Sequence, residues 1–385
     1  MNRPSVTAPA PSFWRRHAVK LIASALITGG VFYMIRTGGL KLVPDGGDFG
    51  AMRWWAIPVY LVTLVGVWWF RSVRWRFLLR AIVEEPKLRL FAVSSAGFAA
   101  ILLLPFRLGE FVRPYMLRTP PEEARPGKPA LSMASATSSV IAERVIDGLF
   151  ISIVLAVVLL VVPHIEPLPE EVVGLPIKMT YVRTSAFVLL GVFAAAFAVL
   201  AVFYFARSFA HRATTIVIGA VSPKLAEKLT GLFEKVADGL HVLRRGRDAA
   251  GFVLETILYW GCNALGMWLL AIGCGVVHAD GSNITFPEAL GLLGMLSCAI
   301  LIPGPPGLLG VFQAGIFAGL TMYVPAATVK GPGAAYIFLV YIVQFVFSLS
   351  LGAWGAWHEG GARKLRAALD ANDTADATDA TAVSP

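Results

Sequence analysis

The sequence predicts an all-α polytopic membrane protein with about six transmembrane helices and two opposed re-entrant hairpins. Hydrophobic residues make up 57% of the 385 residues, charged residues make up only 15%, and the mean hydropathy is +0.70. Soluble domains contain about 25% charged residues, and a soluble fold could not bury so much apolar surface. Three cysteines exclude a disulfide-stabilised secreted scaffold. The net charge of +9 indicates basic cytoplasmic loops rather than a nucleic-acid partner.

The N-terminal part of the sequence contains two predicted spans. Residues 1–17 are predicted to be a cytoplasmic segment, and residues 18–358 to form the membrane domain. The apolar run 21–35 follows basic residues and lacks a small-residue cleavage site, which predicts an uncleaved span rather than a signal peptide. The run 54–70 has a tryptophan pair at each end, and four arginines follow it, which places its far side in the cytoplasm.

The third apolar run, 88–104, has basic residues on both flanks. A full crossing would place one strongly basic flank outside, whereas a hairpin that enters from and returns to the cytoplasm keeps both inside. Pro105 and Gly109 would then break the helix, and residues 110–118 would form the returning arm. Irregular backbone at this depth requires cover by protein or by a water-filled cavity.

The later runs complete the predicted topology. Residues 139–162 would leave the cytoplasm and 184–206 would return. The basic, amphipathic stretch 207–247 predicts an interfacial cytoplasmic helix. Three further segments are predicted: a span over 251–277, a hairpin over 286–324 that enters from outside, and a last span over 334–357. Basic residues after this last span place the C-terminus inside, and residues 370–385 have the composition of a disordered tail.

The two predicted hairpins share a short sequence pattern. Each has an aliphatic run, a proline and, four residues later, a glycine, which predicts structural hinges at Pro105 with Gly109 and at Pro303 with Gly307. Broken helices at matching positions of two oppositely oriented halves are the sequence sign of a transporter's midplane site. Two proline kinks used only for packing are the alternative interpretation.

Charged residues cluster at the first hairpin and inside the span that follows it. A charged group at the centre of a membrane costs at least about 2.5 kcal/mol, so it needs a partner or a function. The formal charges of the two clusters sum to zero, which would suit a self-paired network. Guanidinium groups also bind phosphate bidentately, so we predict a lipid headgroup site. The candidates are Arg107, Glu110, Arg113, Glu143, Arg144 and Asp147.

Three other polar residues lie within the predicted membrane segments. Glu255 and Gln313 are secondary candidates. Gln313 and Gln344 also suit interhelical hydrogen bonds. The six histidines show no metal-ligand spacing, and no P-loop or hydrolase motif is present. The sequence therefore predicts no metal, no cofactor and no catalytic residue.

Four segments resemble one family. RSVRWRFLL (71–79), LPFRLGEFVRPYML (104–117), AERVIDGLF (142–150) and IPGPPGLLGVFQAG (302–315) are similar in content and order to the lysylphosphatidylglycerol synthase transmembrane-region family, also called flippase-like domain proteins. The resemblance implies a bacterial or archaeal lipid-handling protein of the cytoplasmic (inner) membrane. In the last segment Leu308 replaces a family glycine and Gln313 stands at a glutamate position, so a cation-coupled role is not implied. We do not expect synthase activity.

The predicted function is translocation of a phospho- or polyprenyl-phosphate lipid between leaflets. A membrane-embedded accessory subunit or enzyme of lipid-linked aminoacyl or glycosyl transfer is the alternative, with Glu110 or Glu143 as the general base. A scaffold that only binds partners is a third class. The expected partners are membrane lipids, with a lipid-modifying transferase left open, and the sequence does not predict an oligomeric state.

Overall fold

The computed structural model describes residues 29, 33, 43–80, 82–119, 130–173, 175–220, 222–239, 246–301 and 306–382. Within this part of the chain the backbone is almost entirely helical, and the only extended pairing is two isolated β-bridges. The predicted segment 1–17, nearly all of the predicted span 21–35, and Pro303 lie outside the described residues.

Within the described residues the chain forms short 3-10 helices and thirteen α-helices. Short 3-10 helices cover Gly46–Phe49, Pro105–Phe111 and Pro306–Leu308. The α-helices are α1 (Ala56–Val73), α2 (Trp75–Leu79), α3 (Lys87–Leu103), α4 (Val112–Leu117), α5 (Met133–Val161), α6 (Met179–Phe205), α7 (Arg207–Val217), α8 (Pro223–Gly239), α9 (Gly246–Cys274), α10 (Phe286–Ala299), α11 (Val311–Tyr323), α12 (Ala326–Lys330) and α13 (Pro332–Ala382).

Six described helical segments are long and apolar enough to cross a membrane, which confirms the all-α polytopic fold. Five of them coincide with predicted features: α1 with α2, α5, α6, α9 and the first part of α13. The sixth, Pro306–Tyr323, was predicted to be one arm of the outer hairpin. Small residues permit the closest helix contacts: a Cβ added at Gly352 of α13 would lie 2.1 Å from the Cβ of Ala99 in α3.

The first hairpin is present as predicted. Helix α3 ends at Leu103, and the following 3-10 helix folds back against it. A Cβ at Gly109 would lie 2.1 Å from the backbone nitrogen of Ile101, so only glycine permits this contact. Leu90 near the start of α3 and Leu117 at the end of α4 share one buried cluster. Both arms therefore begin and end at the same end of the bundle.

The second hairpin enters from the opposite end. Helices α10 and α11 are antiparallel, because Gly315 lies against Ala299 near the tip and Gly291 lies against Tyr323 near the base. At that base, the loop that follows α5 donates a backbone hydrogen bond of 2.9 Å to the carbonyl of Met322. Since α5 begins beside the base of the first hairpin, the two hairpins point toward each other.

The described backbone matches the two hairpin tips at Pro306, and the predicted hinge at Pro303 stays a prediction because that residue lies outside the described residues. Non-glycine residues with positive φ occur at Arg107 and Leu308, both at +56°. Each is the second residue after the proline that opens a 3-10 helix, Pro105 or Pro306. The structural match to Pro105 is thus Pro306, three residues after the predicted Pro303.

The glycine of the repeat shifts by the same three residues. By its distance from the proline, Gly109 aligns with Gly310; Gly307 and Gly310 both have positive φ, at +78° and +86°. Spacing alone could not decide this, because Pro303 and Pro306 are each followed by glycine after four residues.

One further prediction is corrected in the segment that follows α6. The stretch 207–247 contains two helices, α7 and α8, and α8 packs on the bundle, with Val236 buried against Ala142 and Leu200. The backbone of α13 is helical to Ala382, and the disordered tail over residues 370–385 stays a prediction. This segment is rich in alanine, which has the highest helix propensity.

Candidate functional site

A buried arginine that the sequence analysis did not select lies at the centre of the polar network. Arg74 is completely buried where α1 meets α2. Its two terminal nitrogens hold both carboxylate oxygens of Asp147 at 2.6 and 2.5 Å, and one of them also contacts Glu143 at 2.9 Å. The hydroxyl of Thr256 in α9 accepts a further hydrogen bond of 3.1 Å from Arg74. Arg74 thereby joins α1, α5 and α9.

Glu143 is the carboxylate with the most arginine neighbours. It is fully buried and lies 2.9 Å from Arg74, 3.0 Å from Arg113 and 3.2 Å from Arg144. Arg113 is also fully buried, with its guanidinium 4.3 Å from the ring centre of Trp75. Because both partners are removed from solvent, the Arg113–Glu143 pair connects the first hairpin to α5 rather than facing a ligand.

The remaining predicted residues form a second, more accessible layer. Arg107 at the first hairpin tip contacts Glu110 at 3.1 Å and donates a hydrogen bond of 3.3 Å to the carbonyl of Ile300 at the tip of the second hairpin. Arg144 lies 3.9 Å from Glu110 and 3.7 Å from Asp147. The hairpin tips are therefore in direct contact beside these side chains. We call the whole ion-paired set the charged layer; it consists of Arg74, Arg107, Glu110, Arg113, Glu143, Arg144 and Asp147.

A cavity of about 550 Å³ lies beside this layer. Its polar wall contains Arg71, Arg107, Glu110, Arg144 and Asp147. The rest of its lining is largely apolar and comes mostly from α5, α6, α9, α10 and α11. These apolar residues include Val145, Ile151, Phe193, Trp260, Leu293, Leu296, Leu301 and Phe312.

A smaller cavity of about 100 Å³ adjoins the first one. Aromatic residues of α1, α3 and α13 form much of its lining. The two cavities share Arg71, Arg107, Ile300, Phe312 and Gln344. These shared residues mark the junction between the two spaces.

Arg71 is the second functional candidate that the sequence analysis missed. It lines both cavities, and its guanidinium carbon lies 4.0 Å from the ring centre of Phe98 and 5.7 Å from that of Tyr259. Among the described residues, no carboxylate lies within 4 Å of it, and its Nε is buried without a hydrogen-bond acceptor. Arg71 is thus the cavity arginine without a counter-ion.

The two additional arginines change the charge of the site. The six predicted residues are neutral in sum. With Arg71 and Arg74 included, five arginines face three carboxylates, which leaves an excess of two positive charges. The excess lies on the side of the cavity, because the fully buried arginines already have carboxylate partners.

The secondary candidates have structural contacts. Glu255 is paired with Arg76 at 2.7 Å and does not line the cavities. The side-chain oxygen of Gln313 accepts a 2.6 Å hydrogen bond from the backbone of Gly310 and so caps the start of α11. Gln344 lines both cavities. Within the described part of the chain, no group of three or more potential metal ligands is present.

A comparison with known protein families gives a match that covers the site. The model of the lysylphosphatidylglycerol synthase TM region matches residues 21–352. The chain belongs to this family. The match includes both hairpins and every residue of the charged layer, so the site lies in the part of the chain that defines this membrane region. Searches of curated proteins and of solved structures returned no match.

Proposed function

We propose that this member of the lysylphosphatidylglycerol synthase TM-region family moves a phosphorylated lipid between the leaflets of the cytoplasmic membrane. The observation that carries the proposal is an amphipathic cavity at the contact between two opposed hairpins, whose lining combines arginines with many apolar side chains. A lipid combines a charged headgroup with apolar chains in the same way.

The arginines of the site fall into two groups, one that connects helices and one that can bind a ligand. Arg74 and Arg113 are fully buried and paired with carboxylates, so they keep the helices together. Arg71, Arg107 and Arg144 line the cavity. A guanidinium group can donate two parallel hydrogen bonds to a phosphate, and it is weakly hydrated, which suits a largely apolar site.

The rim of the cavity favours lateral access from the hydrocarbon layer. Phe111 and Leu301 line the cavity and are 52% and 40% exposed. Helix α6, which contributes Phe193 to the cavity, exposes most of its apolar surface. Exposed apolar side chains beside a charged pocket allow a lipid to keep its chains in the membrane while its headgroup enters.

The test is a translocation assay in reconstituted vesicles. Phosphatidylglycerol with a fluorescent group on one acyl chain is bleached by an impermeant reductant only in the outer leaflet, unless protein brings inner-leaflet lipid out. Wild-type protein is expected to accelerate the loss of the protected fluorescence. Ile300→Trp places a large side chain at the junction of the two cavities and is expected to abolish the acceleration.

The matched control is Val346→Trp, on a surface of α13 that is 55% exposed and away from both cavities. It is expected to behave as wild type. Equal acceleration by Ile300→Trp and wild type would remove the cavity from the pathway. Selective lipid binding without any translocation would overturn the proposal in favour of an accessory role in lipid-linked transfer.

A further inference from the structure

We propose that the cavity selects lipids whose headgroup is anionic and carries no amine, and that Arg71 is the main ligand of the phosphate. This inference rests on the proposed function and specifies its substrate class. It predicts that the unmodified phosphorylated lipid, and not an aminoacylated one, is bound.

The carboxylates of the polar wall are already engaged by arginine. Glu110 lies between Arg107 at 3.1 Å and Arg144 at 3.9 Å, and Asp147 is held bidentately by Arg74. The second oxygen of Glu110 accepts no hydrogen bond, but an ammonium group there would also meet the guanidinium of Arg144. A cationic headgroup would therefore meet an excess of positive charge and no free carboxylate.

Two aromatic rings beside the charged layer are already covered by guanidinium groups. An ammonium group can bind over an aromatic ring. Here the guanidinium of Arg71 covers Phe98 at 4.0 Å, and that of Arg74 lies 4.9 Å from the ring centre of Tyr259. The same rings are thus unavailable as a cage for a lipid amine.

Arg71 lacks the anion that its surroundings require. A cation in a low-dielectric site is costly unless it is paired. Arg74 and Arg113 have carboxylate partners inside the protein, whereas no described carboxylate lies within 4 Å of Arg71, whose guanidinium contacts the ring of Phe98 instead. A phosphate at the junction of the two cavities would supply this missing partner and would lie beside Arg107 as well.

The smaller cavity has room for the uncharged part of the headgroup that lies beyond the phosphate. Apart from the two junction arginines, its lining carries no charged side chain. Tyr341, Gln344 and Ser348 contribute hydroxyl and amide groups there. Such a lining suits a hydroxylated substituent such as glycerol. A lipid that ends in a phosphate would leave this cavity unfilled.

The experiment compares three lipids on the purified full chain. Phosphatidylglycerol, lysyl-phosphatidylglycerol and undecaprenyl phosphate are titrated separately, and bound lipid is counted by native mass spectrometry. Wild-type protein is expected to bind at least one of the two anionic lipids about tenfold or more tightly than the lysylated lipid. The tighter of the two anionic ligands shows whether the phosphate belongs to a phospholipid or to a polyprenyl carrier.

The variant pair assigns the selectivity to one side chain. Because the charge of Arg71 attracts the phosphate and also repels a headgroup amine, Arg71→Gln is expected to weaken binding of the anionic lipids and to reduce the preference to less than about threefold. Arg53→Gln removes the same charge from an exposed arginine outside both cavities and is expected to retain the full preference. Circular dichroism melting of both variants shows whether each is folded.

The outcomes separate this inference from the proposed function. Wild-type protein that binds or moves the lysylated lipid as well as the anionic lipids would overturn the selectivity while leaving lipid translocation intact, whatever the fate of the Arg71 variant. Unchanged selectivity in a folded Arg71→Gln protein would overturn the assignment to Arg71. Absence of both selective binding and translocation in wild-type protein would instead remove the proposed function itself.

Discussion

Neutralising Glu143 is expected to be among the most destabilising single changes in the membrane domain. Glu143→Gln preserves the shape of the side chain but removes a charge that faces three arginines at 2.9, 3.0 and 3.2 Å. Arg74 keeps Asp147 as a partner, whereas Glu143 is the carboxylate that pairs with the fully buried Arg113. Removing one member of a buried ion pair costs about 3–5 kcal/mol, because the remaining charge stays uncompensated.

The free energy of unfolding can be measured by reversible denaturation in mixed micelles, followed by circular dichroism. Glu171→Gln, on an exposed loop, is the control and is expected to stay within about 0.5 kcal/mol of wild type. The double variant Arg113→Met/Glu143→Gln removes both charges of the pair. Its loss should be smaller than the sum of the single losses by about 0.5–3 kcal/mol.

Two results would contradict this reasoning. A Glu143→Gln protein with wild-type stability would show that Arg113 is not left as an uncompensated buried charge. Strictly additive single and double variants would show that Arg113 and Glu143 do not interact energetically. Either result would mean that the charged layer is not a packed structural network.

Three further predictions concern the hairpins. Gly109→Ala should prevent the first hairpin from folding back on α3, because the added methyl group would meet backbone atoms at 2.1 Å; loss of monodisperse protein on size-exclusion chromatography checks this, and a well-behaved, active variant would contradict it. Gln313→Ala should cost about 0.5–2 kcal/mol by removing the acceptor for the Gly310 backbone, whereas Gln313→Glu should retain stability in the same denaturation assay. Cysteines placed at Asp280 and Lys330 in a cysteine-free background should be labelled from the same side of the membrane by an impermeant thiol reagent, since both lie at the base of the second hairpin; labelling from opposite sides would disprove the outer hairpin.

Charge distribution made the first hairpin predictable and left the second one uncertain. Basic residues on both flanks of α3 require both flanks to lie on one side. No lysine or arginine occurs between Arg247 and Lys330, so the second hairpin followed only from the parity of the spans. Its register could not be predicted, because the proline-rich segment offers two equivalent spacings and only backbone conformation selects Pro306.

The missed arginines show the limit of using basic residues only as topology markers. Arg71 and Arg74 were assigned to a cytoplasmic flank together with Arg76 and Arg80. The pattern of buried residues in α1 nevertheless continues through them at helical spacing, from Leu64 and Trp68 to Trp75 and Leu78. Periodicity extended beyond the apolar run would have placed Arg71 and Arg74 on the inner face, where they complete the network around α5.

The two hairpin tips share a backbone conformation but differ in polarity. Arg107 and Leu308 both adopt φ of +56°, a conformation that costs a non-glycine residue about 1–2 kcal/mol. The first tip offsets this cost through contacts of Arg107 with Glu110 and with the Ile300 carbonyl, and the second through burial of Leu308, which is 9% exposed. Because the tips meet, a charged turn faces an apolar turn across the junction of the two cavities. An amphipathic ligand can satisfy both turns at once, whereas a soluble anion would leave the apolar turn unused and a plain hydrocarbon would leave Arg71 and Arg107 without a phosphate.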